Sequence, residues 1–253
     1  MTKIIYKTDT SQTKIRVIEE DNKRILISGM SQYQSGVDLI NIRNHIFDYS
    51  LVAMYFLKFI PDISKVSNIL IVGLGGGTIA RELSYYFEDL KIDIIEIDME
   101  MKRVAEDYFF FKDSDNIHIY EGDAFNVVKE IDKKYDVILL DAFNDTYIPY
   151  HLMTVEFFKN ISSILNESGV IASNLSEVHP SFYNHIHTFY NVFGDKLYEL
   201  RGPNNPACFY LYVSDNDPVY ETNLPLKYYP KLQPVKIEVT ERITSKKIFS
   251  LKF

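Results

Sequence analysis

The stretch that decides the fold is ILIVGLGGGTIARE, residues 69–82. An apolar strand pattern runs directly into a glycine cluster and then into a helical pattern. Glycines let the backbone turn sharply and approach a ligand, and the amides that begin the next helix offer donors at its positive dipole end. The pattern predicts a nucleotide-binding strand, loop and helix within an α/β fold.

The spacing of the glycines narrows the choice of ligand. A dinucleotide-binding fingerprint requires glycine three residues after Gly75, and Thr78 stands there. Glycines at alternate positions, Gly73, Gly75 and Gly77, favour an adenosyl-sulfonium site instead. An NAD-dependent oxidoreductase is therefore the weakest alternative, and no acid or base for hydride transfer is recognisable.

A second apolar strand follows the glycines and ends in carboxylates. Residues 93–98 place Glu96 about twenty residues after the glycine loop, which is the spacing of a ribose-binding acid. Glu96 is therefore the ribose candidate, while Asp98 is also placed to cap the helix that follows.

Two later strands also end in acidic residues. The alternating segment 117–124 closes on Gly122 and Asp123, and the apolar segment 135–142 closes on Asp141. In an open parallel sheet the ligand crevice lies at the carboxyl ends of the strands. We therefore expect these acids to converge with Glu96 and the glycine loop.

Composition bounds the class of protein. With 253 residues, 46% of them apolar, the chain is expected to form one large domain with a small appendage. The single cysteine, Cys208, excludes an internal disulfide, and the first residues lack a secretory signal, so we expect a cytoplasmic protein. The longest apolar run, residues 51–57, is too short for a membrane span, and a net charge of -8 argues against nucleic acid as partner.

The amino-terminal part predicts a small antiparallel sheet. Residues 13–20 and 24–27 are β-prone and are separated by Asp21-Asn22, a pair typical of hairpin turns. Residues 47–59 then show helical spacing, which Pro61 ends. The boundary is expected near Ile60, which divides the chain into an amino-terminal part, 1–60, and a catalytic domain, 61–253.

The later part continues the alternation of helices and strands. A helix is expected from Thr154, which can cap it, to a terminating segment at residues 166–169. The next strand is expected at residues 170–174, another helix from Pro180, and a final strand at residues 209–214.

Neither the histidines nor the basic tail predicts a separate site. His185 and His187 are two residues apart and cannot share a helix face, so no metal pair is expected. The tail, residues 225–253, is rich in lysine. It is expected to pack on the acidic domain or on another subunit, or to have no specific role.

Over about residues 15–214 the chain resembles the spermidine synthases and spermidine synthase-like proteins. The family shows a glutamine-containing turn, a tyrosine that opens a helix, a glycine loop, a Glu-Ile-Asp strand end, a Gly-Asp turn and a strand-ending aspartate. The counterparts here are Gln32, Tyr49, residues 75–77, residues 96–98, Gly122, Asp123 and Asp141. Residues 141–143 and 148–158 look most like the spermidine synthase-like branch.

The resemblance implies a fold and a reaction. The fold is a Rossmann-like S-adenosylmethionine-dependent transferase fold with a mostly parallel seven-stranded sheet and a small N-terminal antiparallel β-domain. The reaction moves an aminopropyl group from decarboxylated S-adenosylmethionine to an amine such as putrescine, and it releases methylthioadenosine. A homodimer is implied, without a metal, nucleic acid or membrane partner.

The resemblance also divides the roles among residues. Gln32 and the glycine loop would contact the aminopropyl or methionine-like arm, Glu96 the ribose hydroxyls, and Asp123 the adenine amino group, although an Asx turn is the alternative for Asp123. The donor-binding set is Gln32, Gly73, Gly75, Gly76, Gly77, Glu96, Asp98, Asp123 and Ala124.

The catalytic set departs from the family in part. Tyr49 and Asp141 would face the reacting amine, with Asp141 as the proton acceptor. Asn144 stands where the family has its second aspartate, and an asparagine can hold an amine but cannot act as a base near neutral pH. Asp145, which follows where the family has proline, is the nearest substitute, and Leu51 replaces a glutamate.

Two alternatives remain open at this point. A methyltransferase on the same scaffold, using S-adenosylmethionine and releasing S-adenosylhomocysteine, is favoured by Asn144 and Leu51. A non-catalytic nucleotide-binding or polyamine-binding protein is the second.

Overall fold

The computed structural model describes residues 2–30, 32–60, 62–143, 147–176, 181–194, 197–201, 207–213 and 235–236. Within these residues a four-stranded antiparallel sheet precedes an eight-stranded mixed sheet with helices on both faces. Most of the tail, and the loop between Phe143 and Tyr147, lie outside the described residues.

The amino-terminal sheet is a meander of four strands. They are β1 (Lys3–Asp9), β2 (Lys14–Glu20), β3 (Lys23–Ser28) and β4 (Gln32–Asp38), paired in that order. Asp21 and Asn22 join β2 to β3 with φ angles of 47° and 61°. Two positive φ angles match the twist of the flanking strands, so the predicted hairpin is confirmed.

A short helix links the two sheets. It is α1 (Asp48–Met54), and a 3-10 helix, Tyr55–Phe59, continues it. The helix predicted over residues 47–59 is thus confirmed in position, but its final turn tightens. Val52 and Phe56 are buried in the same core as Ile71, so α1 packs on one face of the central sheet.

The central sheet is parallel through five of its strands. These are β5 (Asn68–Val72), β6 (Lys91–Glu96), β7 (Ile117–Glu121), β8 (Tyr135–Leu140) and β9 (Leu165–Ser176), in the order β9-β8-β5-β6-β7. The strands β10 (Leu197–Arg201), β11 (Ala207–Val213) and β12 (Val235–Lys236) extend it in antiparallel fashion beyond β9. The mostly parallel Rossmann-like sheet is confirmed, and the two-residue β12 adds an eighth strand to the seven predicted.

In the part of the chain that the structure describes, five more helices cover this sheet. They are α2 (Thr78–Tyr86), α3 (Met99–Phe109), α4 (Ala124–Glu130), α5 (Val155–Ser163) and α6 (Phe182–Phe193). Alternate residues of β5 enter opposite cores, with Ile71 facing α1 and α2 and Leu70 facing α4 to α6. This two-sided burial explains the unbroken apolar run of the strand. No helix in the described ranges has the length and apolar character that crossing a bilayer requires.

The end of α5 differs from the expectation. The helix ends at Ser163 and β9 already begins at Leu165, whereas residues 166–169 were expected to terminate the helix. Leu165 pairs with Tyr135, and the Asn166 side chain donates to Asp136 at 2.6 Å. The next pair is Val170 with Val137, so residues 166–169 have no partner in β8 and form an irregular segment within β9. The predicted strand at 170–174 lies inside β9.

A third core joins the two sheets. Val104 and Phe109 of α3 are fully buried against Val17, Leu26 and Val37 of the amino-terminal sheet. The domain boundary near Ile60 remains a prediction. Apolar side chains of α3 and of the amino-terminal sheet are in contact across that boundary.

Candidate active site

A cavity of about 530 Å³ lies at the carboxyl ends of β5, β6, β7 and β8 and extends beneath the amino-terminal sheet. Eight of the residues singled out from the sequence line it: Tyr49, Gly73, Gly75, Glu96, Asp98, Asp123, Ala124 and Asp141. The crevice thus lies where an open parallel sheet is expected to bind its ligand. Its volume is in the range of small-molecule sites, about 300–1,000 Å³.

Gly73 ties three strand ends together. Its φ is +97°, and a Cβ atom there would lie 2.6 Å from the carbonyl oxygen of Asp141. The Gly73 amide donates to Ile95 at 2.8 Å, and the Asp141 amide donates to Val72 at 2.9 Å. Only glycine fits this crossing, because both the backbone conformation and the close approach exclude a side chain.

Gly76 and Gly77 shape the loop and do not line the cavity. The Gly76 amide donates to Ser35 Oγ at 2.9 Å, and the Gly77 amide donates to Leu74 at 2.9 Å. Gly77 has φ +68°, and a Cβ there would lie 2.7 Å from the ring of Phe111. Both amides are thus engaged within the protein, and the contact of these two glycines with the donor's arm remains a prediction.

Glu96 is buried at the end of β6 and is held in one orientation. Oε2 accepts from the Leu74 amide and Oε1 from the Asp98 amide, both at 2.9 Å. Burial raises the pKa of Glu96, and the two backbone hydrogen bonds oppose that rise. Each carboxylate oxygen keeps a further acceptor position, which is the chemistry a ribose diol requires.

Asp98 caps the helix that follows β6. Its side chain accepts from the Glu100 amide at 3.0 Å and from Thr10 Oγ1 at 2.5 Å. The cap expected from the sequence is confirmed, and the second bond ties the β1–β2 turn to the cavity wall. Asp98 therefore both caps α3 and lines the cavity.

Asp123 likewise caps a helix and faces the cavity. Oδ1 accepts from the Phe125 amide at 2.9 Å, at the start of α4, and Ala124 lines the cavity beside it. His151 Nε2 lies 3.1 Å from Oδ1 and 3.0 Å from Oδ2. The two interpretations of Asp123, as a turn residue and as a ligand-binding acid, are thus compatible.

Asp141 follows β8 and is partly buried in the cavity wall. Loss of hydration raises its pKa to about 6, and a hydrogen bond from Asn174 Nδ2 at 2.7 Å to Oδ1 acts in the opposite direction. The Tyr49 hydroxyl donates to the Gln34 carbonyl and lies 3.4 Å from Ser35 Oγ. Burial, and then the charge of Asp141, raise the pKa of Tyr49, so it remains a neutral donor.

Several predicted site residues lie outside the described part of the chain. The backbone of Gln32 begins β4, but its side chain, that of Leu51, and the residues Asn144 and Asp145 are not described. Among the described residues, no three histidine, cysteine, aspartate or glutamate side chains are grouped to hold a metal ion.

Three residues of this site, Asn174, His151 and Ser35, have no role predicted from the sequence. Asn174 ends its predicted strand, so the strand-end rule that selected Asp141 also applies to it. His151 stands in the segment used for the family resemblance, but nothing local indicates its contact with Asp123. Ser35, which holds the glycine loop, carries no sequence signal of its own.

Comparison with known proteins assigns the family. A family model for the spermine/spermidine synthase domain matches residues 57–196, which is more than half of the chain. The chain belongs to the spermine/spermidine synthase family. The resemblance stated from the motifs is thereby confirmed.

Members of this spermine/spermidine synthase family supply both sequence and structural relatives. A polyamine aminopropyltransferase of Vibrio vulnificus is 39% identical over 160 residues, covering 62% of this chain and 52% of that protein. One of Chromobacterium violaceum is 30% identical over 188 residues, covering 74% and 71%. The chain thus spans about half the length of the first relative and more of the second.

The fold comparison agrees with the sequence comparison. The crystal structure of a probable spermidine synthase from Corynebacterium glutamicum superposes with a TM-score of 0.72 at 18% identity, covering 88% of this chain and 84% of that one. The chain therefore shares the fold of that probable spermidine synthase.

Proposed function

We propose that this protein transfers an aminopropyl group from decarboxylated S-adenosylmethionine to an amine. The observation that carries the proposal is the Asp141 carboxylate, partly buried in the cavity wall with its backbone against Gly73 of the nucleotide loop. A base at that position reaches both the donor site and the open cavity. The names of the relatives, polyamine aminopropyltransferases, support the same reaction.

The donor would lie along the strand ends. Glu96, fixed by two backbone amides, would accept from the ribose hydroxyls, and Asp123 would accept from the adenine amino group. Gly73 and Gly75, which line the cavity between Glu96 and Asp141, would allow the sulfonium end to approach the backbone. When bound, the donor supplies an alkyl carbon made electrophilic by a positively charged sulfur.

The remaining task of the protein is to orient and deprotonate the amine. An alkyl ammonium group has a pKa of about 10.4 in water, so it must lose a proton to become a nucleophile. In the transfer the amine nitrogen forms a bond to the alkyl carbon as the carbon–sulfur bond breaks. The electron pair of the broken carbon–sulfur bond remains on sulfur. The proton passes to Asp141, which is ionised above about pH 6 and so is free to accept it.

Tyr49 would orient the same amine. Its hydroxyl is neutral and its proton is committed to the Gln34 carbonyl, so its oxygen is left as an acceptor on the cavity side. Asn144 would then hold the amine by hydrogen bonding but would not accept its proton.

The test is a mass-spectrometric assay of the purified chain. Decarboxylated S-adenosylmethionine and S-adenosylmethionine are supplied in parallel, each with a panel of diamines and triamines that includes putrescine. We expect methylthioadenosine only when both the decarboxylated donor and an amine are present. S-Adenosylhomocysteine formation would indicate methyl transfer instead, and bound nucleotide without any product would indicate a binding protein.

A further inference from the structure

The Asp123 carboxylate is held by a second donor that lies far away in the sequence. His151 Nε2 lies 3.1 Å from Oδ1 and 3.0 Å from Oδ2, so the ring nitrogen faces both oxygens. An ionised carboxylate only accepts hydrogen bonds, and the nitrogen that faces it is therefore the one that carries hydrogen. Together with the Phe125 amide at 2.9 Å, His151 fixes the plane of the carboxylate.

The imidazole is itself held in place. His151 lies in a 3-10 helix, Tyr150–Met153, whose Leu152 side chain is buried, and its carbonyl accepts from Thr154 Oγ1 at 3.1 Å. The ring of Phe125 meets the imidazole edge to face with centroids 6.0 Å apart. The position of the imidazole is thus fixed by the 3-10 helix that carries it and by its contact with the Phe125 ring.

A fixed carboxylate distinguishes two purines that a mobile one would not. The 6-amino group of adenine donates, whereas the 6-oxo group of hypoxanthine accepts and would oppose the carboxylate with a second acceptor. A carboxylate free to rotate can shift toward the N1–H of hypoxanthine and recover a hydrogen bond. One held by two donors cannot make that shift without losing a bond it already has.

We propose that His151 is a positioning residue for the nucleobase: it holds Asp123 in the orientation that accepts adenine and rejects 6-oxopurines. The inference rests on the proposed function, because it requires that Asp123 face the base of the donor. Asp123 and His151 both line the cavity and keep side-chain exposures of 31% and 45%, so a base can reach them.

The test measures dissociation constants of 5′-methylthioadenosine and 5′-methylthioinosine by calorimetry. The wild type should prefer the adenine compound by about tenfold or more, since the 6-oxo group would leave two acceptors facing each other without a hydrogen bond. His151→Phe, which keeps a ring but lacks the donor, should reduce that preference by about fivefold, mainly by strengthening the binding of methylthioinosine, because the freed carboxylate can turn toward the N1–H of its base. His151→Gln, whose amide nitrogen takes the place of Nε2, should restore the preference to within about twofold.

Two further variants separate positioning from general damage. Tyr150→Phe, on the same 3-10 helix but exposed and away from the cavity, should bind both nucleosides like the wild type. Asp123→Asn keeps a competent helix cap, and in that background His151→Phe should no longer change the preference. A thermal unfolding measurement on each variant checks that it is folded.

Each outcome decides the inference. Equal weakening of both nucleosides by His151→Phe, or an unchanged preference, would overturn the role of His151 while leaving the nucleotide site intact. Binding of neither nucleoside by the wild type would overturn the nucleotide site of the proposed function, and the role of His151 with it.

Discussion

The reaction needs Asp141 in its ionised form, and that form lowers the free energy of unfolding because the carboxylate is partly buried. Its pKa is about 6 in the folded chain, against an ordinary value of 3.8. The proton is therefore held more tightly in the folded than in the unfolded protein, and stability contributed by the protonated form is lost as the pH rises from about 4 to about 6. Above that range the loss is constant.

Replacing Asp141 by asparagine should lower the activity of the protein and raise its stability. We expect Asp141→Asn to lower kcat by about 10²- to 10⁴-fold, the usual contribution of a general base, while nucleotide binding is retained. The melting temperature of the variant should exceed that of the wild type at pH 8, and the difference should shrink as the pH falls toward 4. Calorimetric scans across this range, with single-turnover assays, check both effects. A variant with undiminished turnover would remove Asp141 from the mechanism.

The hydrogen bond from Asn174 opposes the rise that burial gives to the pKa of Asp141. This bond favours the ionised carboxylate, so Asn174→Leu should raise the pKa of Asp141. The acidic limb of the kcat profile should then move to higher pH by about one unit, since a hydrogen bond to a charged group contributes about 1.5 kcal/mol and one pKa unit is about 1.4 kcal/mol.

The matched control for this shift is the preceding residue on the same strand. Ser173 is buried, and side chains alternate along a strand, so it faces away from Asp141. Ser173→Ala should leave the pH profile unmoved. A shift of equal size in both variants would mean that β9 as a whole, and not the Asn174 amide, determines the profile.

At the scale of the element, the loop between β5 and α2 depends on backbone contact. Gly73→Ala would place Cβ against the Asp141 carbonyl, and Gly194→Ala, at φ +72°, would meet nothing within 4 Å. We expect Gly194→Ala to cost about 1–3 kcal/mol from backbone strain alone. Gly73→Ala should cost more by about 1–3 kcal/mol, since the clash is added, and it should also lose nucleotide binding. Urea unfolding measures both variants, and equal losses would contradict the role assigned to the strand crossing.

Two strand-to-helix turns use one carboxylate for two purposes. Asp98 begins α3 and Asp123 begins α4, each accepting from a backbone amide two residues ahead. Both side chains also line the cavity, because the start of each helix lies at the carboxyl end of the strand before it. Capping and ligand binding are therefore compatible at this edge of the sheet.

At the scale of the whole molecule, the two sheets share apolar side chains. Phe109 is fully buried in the cluster that joins α3 to the amino-terminal sheet, whereas its neighbour Phe110 is 41% exposed. Phe109→Ala should destabilise the protein by about 3–5 kcal/mol. Phe110→Ala, the matched control, should cost less than about 1 kcal/mol.

Shared packing also predicts that both sheets unfold together. Hydrogen exchange followed by mass spectrometry should show peptides from β2 and β6 losing protection at the same urea concentration in the wild type and in Phe109→Ala. Earlier exposure of β2 would mean that the amino-terminal sheet is an independent unit. The homodimer implied by the family resemblance remains a prediction.

The sequence by itself determined the features that depend on residues close together in the chain. The glycine loop, the Asp21-Asn22 turn, the cap at Asp98 and the strand-end carboxylates all follow from local backbone preferences and from side-chain spacing. The family motifs belong to the same kind of information.

Only the tertiary structure decided which distant groups meet. Asn174 reaches Asp141 across 33 residues, Ser35 reaches the Gly76 amide across 41, and His151 reaches Asp123 across 28. The strand β9 begins earlier than expected for the same reason, since Leu165 pairs with the distant Tyr135, while residues 166–169 have no partner in β8. Hydrogen bonds and pKa values depend on distances between side chains in space, and the packing of the sheets and helices sets those distances, whereas local sequence sets only the elements that pack.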